Sequence, residues 1–155
     1  MSDPALYELS ITRLIEAPVD AVWRAWTHHL DEWFCPKPWR AELVEQELKP
    51  GGRSVIVMHG PAGEQNRLEG VILDVVPQRR IVSTDALTAD WRPQGPFMVR
   101  LDDFVDEGGH TRYTATARHW TREARDQHAS MGFEQGWNIA TDQLAAVAKR
   151  LAAHR

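Results

Sequence analysis

The chain has 155 residues, 43% of them hydrophobic and 26% charged, so residues 1–155 are expected to form one domain whose core needs neither metal nor disulfide. The formal net charge of −4 argues against a nucleic-acid partner, because binding phosphates needs a basic surface. The single cysteine, Cys35, excludes an internal disulfide, and no run approaches the roughly 20 apolar residues of a membrane-inserted helix.

Met1 to Ala5 carries no basic segment followed by an apolar run, so no secretory leader is expected and the expected location is the cytoplasm. Leu6 to Ile15, rich in β-branched residues, predicts a strand. Pro18 suits the first turn of a helix and Asp20 its positive end, with Val22, Trp23 and Trp26 at helical spacing to about Thr27. A second short helix is predicted over Leu30 to Phe34, stopped by Pro36 and Pro38. Strands are predicted over Arg40–Leu48, Arg53–His59, Leu68–Val76 and Arg80–Ala86. The turn Lys49-Pro50-Gly51-Gly52 joins the first two.

After the loop Pro93–Pro96, Phe97, Val99 and Leu101 alternate with Met98, Arg100 and Asp102, the pattern of a half-buried strand. The apolar set is expected to face the core. Thr111 to Trp120 returns with Tyr113, Ala115 and Ala117 on one face. Thr121 is a good N-cap, and Phe133, Trp137, Ala140, Leu144, Val147/Ala148 and Leu151 recur at steps of three and four. One helix of roughly thirty residues is therefore expected from Thr121 to about Ala153. Gly132, Gly136 and Ala140 form a second row on it, which points to a close approach by the sheet or by a ligand.

The residues offer little recognisable chemistry. Neither H-E-x-x-H, nor G-x-S-x-G, nor a phosphate loop occurs, and the seven histidines have no zinc-like spacing. No catalytic residue, metal or cofactor is expected. Asp102 and Asp103 are strand neighbours on opposite faces and cannot act as a carboxylate pair. Seven tryptophans, four of them within residues 23–39, fit either ordinary packing or an aromatic-walled pocket.

Four phrases then carry a resemblance: IEAPVDAVWRAWT (15–27), LKPGGR (48–53), EGVILDVVPQRRIVST (69–84) and MGFEQGWNIATDQLAAVAKRL (131–151). In this order, across about Leu6 to Leu151, the chain resembles the activator of heat-shock protein 90 ATPase homologue-like family. That family lies within the START-like superfamily that shares the birch pollen allergen fold. The resemblance implies an α+β helix-grip fold, a curved antiparallel sheet wrapped around a long C-terminal helix, with two short helices closing one end.

It also implies a small, largely apolar ligand held between sheet and helix. Ligand contacts are then expected from Trp33, Phe34, Trp39, Met58, Leu73, Phe97, Val99, Tyr113, Ala115, His119, Met131, Gly136 and Trp137. Tyr113 and His119 would be polar anchors. Two other readings stand beside this one. One is a cyclase- or aromatase-type enzyme acting inside the cavity, with Tyr113 and His119 as acid–base groups. The other is a chaperone-binding protein; in co-chaperones of this type ATPase activation also needs a separate N-terminal domain, for which this chain has no room, so a chaperone partner is not expected. A homodimer is left open.

Overall fold

The computed structural model describes residues 7–95 and 98–154. Seven strands form one antiparallel sheet: β1 (Glu8–Ile15), β2 (Arg40–Gln46), β3 (Arg53–His59), β4 (Gln65–Val76), β5 (Arg80–Thr84), β6 (Val99–Asp106) and β7 (Thr111–Arg118). Their order across the sheet is β1-β7-β6-β5-β4-β3-β2, so the first strand closes against the last and leaves β1 and β2 as edges. Helices α1 (Val19–His28) and α2 (Leu30–Trp33) follow β1, and α3 (Arg122–Ser130) and α4 (Phe133–Ala153) follow β7. This is the helix-grip arrangement expected from the sequence. Among the described residues no helix is long and apolar enough to cross a membrane.

Local chemistry explains the elements. Pro18 caps α1 in an extended conformation with Asp20 in the first turn, and Ala21, Val22, Ala25 and Trp26 supply its buried face. Gly51 takes φ +80° in the turn between β2 and β3, as a turn with glycine after proline requires. The predicted C-terminal helix is in fact two. Gly132 adopts φ +90°, and its N–H bonds to the Ala129 carbonyl at 3.1 Å, closing α3. Its own carbonyl then accepts from Gly136 N–H at 2.8 Å and opens α4. Gly132 is thus the punctuation between helices. The absence of proline from Thr121 to Ala153 hid the break, and the apolar stripe itself begins only at Phe133, just after it.

The core lies between the sheet and the helices. β1 contributes Ile11 and Ile15, β7 contributes Tyr113, Ala115 and Ala117, and α4 contributes Phe133, Ala140, Leu144, Val147 and Ala148. The main neighbours of α4 are α1, α2 and β1. Arg13 on β1 ties it down, donating to the Asn138 carbonyl at 3.2 Å and to Asp142 at 2.5 Å. The helix is therefore anchored toward one edge of the sheet, and it stands off from the middle strands.

Candidate functional site

The gap between α4 and the middle strands is a cavity of about 720 Å³. Trp33 and Phe34 line it from α2 and its end, Ile56 and Met58 from β3, Tyr113 and Ala115 from β7, and Met131, Gly136 and Trp137 from the C-terminal helical segment. Gly132 and Gly136 have nothing within 4 Å of where a Cβ would sit. The small residues thus border open space. They are not there to let the sheet approach closely.

The strongest electrostatic feature of the wall is a cluster around Asp102, which is fully buried. Arg100 and Asp102 lie two residues apart on β6 and so share a face. Arg100 donates from Nε at 3.0 Å and from Nη2 at 3.1 Å to the two carboxylate oxygens. The Tyr113 hydroxyl donates to Oδ1 at 2.5 Å and the Trp26 indole N–H at 3.2 Å. Burial, reinforced by the Asp102 charge, pushes the Tyr113 hydroxyl well above its ordinary range, so it stays a protonated donor. Burial alone would lower Arg100, but Asp102 and Tyr113 outweigh it and hold the guanidinium charged. Its central carbon stands 4.3 Å from the Trp137 ring centroid and 5.4 Å from that of Phe34, within cation–π range of both.

A second polar group lies close by. His128 lines the cavity, edge-on to Phe133 and Trp137, and its Nδ1 is 2.9 Å from Nε2 of His119. His119 Nδ1 lies 2.7 Å from the Tyr7 carbonyl, so that nitrogen carries the proton. When both rings are neutral, His119 Nε2 is then the acceptor and His128 Nδ1–H the donor. Burial, with His119 and Arg100 nearby, holds His128 down to about 4. Two buried polar atoms on the wall, Trp33 Nε1 and Gln46 Oε1, have no partner among the described residues.

Of the expected contact residues, Trp33, Phe34, Met58, Tyr113, Ala115, Met131, Gly136 and Trp137 come together on this wall. His119 sits one layer behind it, bonded to His128. Three others fall elsewhere. Trp39 lines a separate surface pocket of about 660 Å³ with Lys37, Pro38 and Arg150. Leu73 is 45% exposed, beside the irregularity between Ile72 and Asp74 that shifts the β4 register. Phe97 lies outside the described residues. Val99 is on the opposite face of β6, since its cross-strand partners are Thr84 and Arg118.

The face of β6 is thus the reverse of the expected one. Phe104 opposes Tyr113, Asp102 opposes Ala115 and Arg100 opposes Ala117, so the set containing Arg100 and Asp102 faces α4. Assigning the inner face by hydrophobicity placed Val99 and Leu101 there instead. A usable signal was present: Phe104 shares the parity of Arg100 and Asp102, and the pair cancels its own charge. Trp26, Ile56, Arg100, Asp102, His128 and Phe133 are among the site residues that sequence reasoning missed.

A family model described as activator of Hsp90 ATPase homologue 1-like protein matches residues 16–149. The chain belongs to this family. The crystal structure of a protein from Nitrosomonas europaea is 36% identical to it, with a TM-score of 0.90 over 96% of this chain and 98% of that one. A Mycobacterium smegmatis protein is 27% identical, with a TM-score of 0.78 over 94% and 92%. A protein from Arthrobacter aurescens shares the fold at 24% identity and a TM-score of 0.82, covering 97% of this chain and 90% of that one. No curated protein matches the chain. Membership of the activator of Hsp90 ATPase homologue 1-like family thus fixes the fold and leaves the site to be argued from its own residues.

Proposed function

We propose that this chain binds a small apolar or aromatic molecule between α4 and the middle of the sheet. One observation carries the reading: about 720 Å³ of space lies beside Gly132 and Gly136 where packed side chains would be the norm. Ligand sites usually occupy about 300–1,000 Å³, with mostly apolar walls and few polar groups. Trp33, Phe34, Met58, Phe133 and Trp137 would supply the apolar contacts, and Arg100, Tyr113 and His128 are the polar groups set among these rings at the α4 side of the cavity. Tyr113 would orient Arg100 through Asp102 and would not itself transfer a proton, because its hydroxyl is committed to that carboxylate.

Native mass spectrometry of protein purified gently from its own host tests the reading, followed by organic extraction. The expected result is an excess mass that extraction resolves into one small apolar compound. The same protein, once extracted, is expected to take up the uncharged dye N-phenyl-1-naphthylamine saturably at one site. Bare protein from the host combined with no saturable dye uptake would overturn the proposal.

A further inference from the structure

The binding reading leaves open what the bound molecule must carry, and Arg100 narrows that. Its side chain keeps 14% of its surface accessible while that of Asp102 keeps none, so the cavity meets the cation and not its counter-charge. Two of its N–H groups go to Asp102 and the Tyr113 hydroxyl lies within reach of a third. A guanidinium has five such groups, and the rest have no acceptor among the described residues. These donors face the cavity, where water meets them until a ligand enters, and a ligand that displaces that water without offering an acceptor loses a hydrogen bond to a charged group. The aromatic rings of Phe34 and Trp137 satisfy the cation's faces and cannot accept at its edge in the way an oxygen does.

The charge of Arg100 is already balanced, because Asp102 holds it in a bidentate pair. Arg67, also on the wall, is paired with Glu69 at 3.0 Å, and Asp85 adds a further carboxylate that accepts from Met98 N–H. An anionic ligand would therefore enter a wall with no surplus positive charge and would meet the field of Asp102 close behind Arg100. An uncharged oxygen gains the charge-assisted hydrogen bond without that repulsion. We propose that the bound molecule is apolar with one uncharged oxygen acceptor, such as a ketone or ester carbonyl, held by the Arg100 guanidinium over Trp137. This rests on the cavity being the binding site.

Three probes of one shape separate the alternatives on the intact chain: 2-acetylnaphthalene, its alkene counterpart 2-isopropenylnaphthalene, and the anion 2-naphthoate. Dissociation constants come from equilibrium dialysis. The ketone is expected to bind roughly tenfold to a hundredfold more tightly than the alkene, the range for a hydrogen bond from a charged donor, and more tightly than the anion. In the pair Arg100→Gln with Asp102→Asn, which removes both charges together, the ratio of ketone to alkene affinity should fall to about one. Arg100→Lys, which keeps the charge and loses the fork, should lower the ratio as well. Equal binding of ketone and alkene by the unaltered chain would overturn the oxygen anchor and leave the cavity reading standing. Tightest binding of the naphthoate would overturn the uncharged head. Failure of all three to bind would overturn the cavity reading along with it. The series on the unaltered chain decides the matter even if a variant does not fold.

Discussion

Tyr113 donates its hydroxyl to Oδ1 of Asp102 at 2.5 Å, reaching from β7 to the neighbouring strand β6 on the face that meets the helices. The sheet can hold a carboxylate with no exposed surface because its oxygens receive the Arg100 fork, this hydroxyl and the Trp26 indole N–H. Tyr113→Phe keeps the ring against Phe104 at a 5.4 Å centroid separation and deletes only the donor. It should cost about 1.5–3 kcal/mol, the value of a hydrogen bond to a charged group. Urea unfolding reads this directly, and a loss below about 0.5 kcal/mol would mean that the other donors suffice.

Removing the carboxylate should do more harm than removing the ion pair. Asp102→Ala leaves the Arg100 cation in a largely buried site with no counter-charge, which typically costs about 3–5 kcal/mol. The double replacement Arg100→Gln with Asp102→Asn deletes both charges and should be milder than Asp102→Ala alone. A thermodynamic cycle of Arg100→Gln, Asp102→Asn and the double replacement checks the sign of the coupling. Additive losses would show that the two side chains do not act as a unit.

The grip itself was legible because it is written in periodicity and turns. The alternation of residues 111–118, the turn at 49–52 and the apolar stripe from Phe133 to Ala148 each specify an element and its buried side. The candidate site was legible only in part. Trp33, Phe34, Met58 and Trp137 followed from the general plan of the fold. Arg100 and Asp102 did not, because pattern reading assigns polar side chains outward, whereas here each makes the other's burial tolerable. Alternation says that residues 100, 102 and 104 share a face without saying which face it is. Cross-strand pairing with Tyr113 and Ala115 decides that, and pairing is a long-range property.

The two glycines at the cavity should respond in opposite directions to the same change. Gly136 lies in the interior of α4 with helical geometry and open space around it. Gly136→Ala should therefore stabilise the fold by about 0.5–1 kcal/mol through helix propensity. Gly132 sits at φ +90°, where an L side chain is strained. Gly132→Ala should destabilise by about 1–2 kcal/mol although the same open space surrounds it. Urea midpoints of the two variants check the pair, and stabilisation by both would mean that α3 and α4 can merge into one helix.

Acid should weaken the fold through His128. Its folded value of about 4 lies below the ordinary histidine value of 6.5, because burial, His119 and Arg100 all oppose a second positive charge there. Between those two values the unfolded chain binds a proton that the folded chain does not, so stability is lost as pH falls from about 6.5 to about 4 and is fully present above that window. Carboxylates held low by arginine partners, such as Glu107 by Arg112, add losses at more acidic pH, so their effect falls mostly below the histidine window. His128→Asn separates the contributions: its amide can still donate to His119 Nε2 yet cannot titrate. Urea midpoints measured from pH 7.5 to pH 4.5 should hold down to about pH 6.5 and then fall in the unaltered chain, and stay nearly flat throughout in His128→Asn. Parallel slopes in the two proteins would place the acid sensitivity elsewhere.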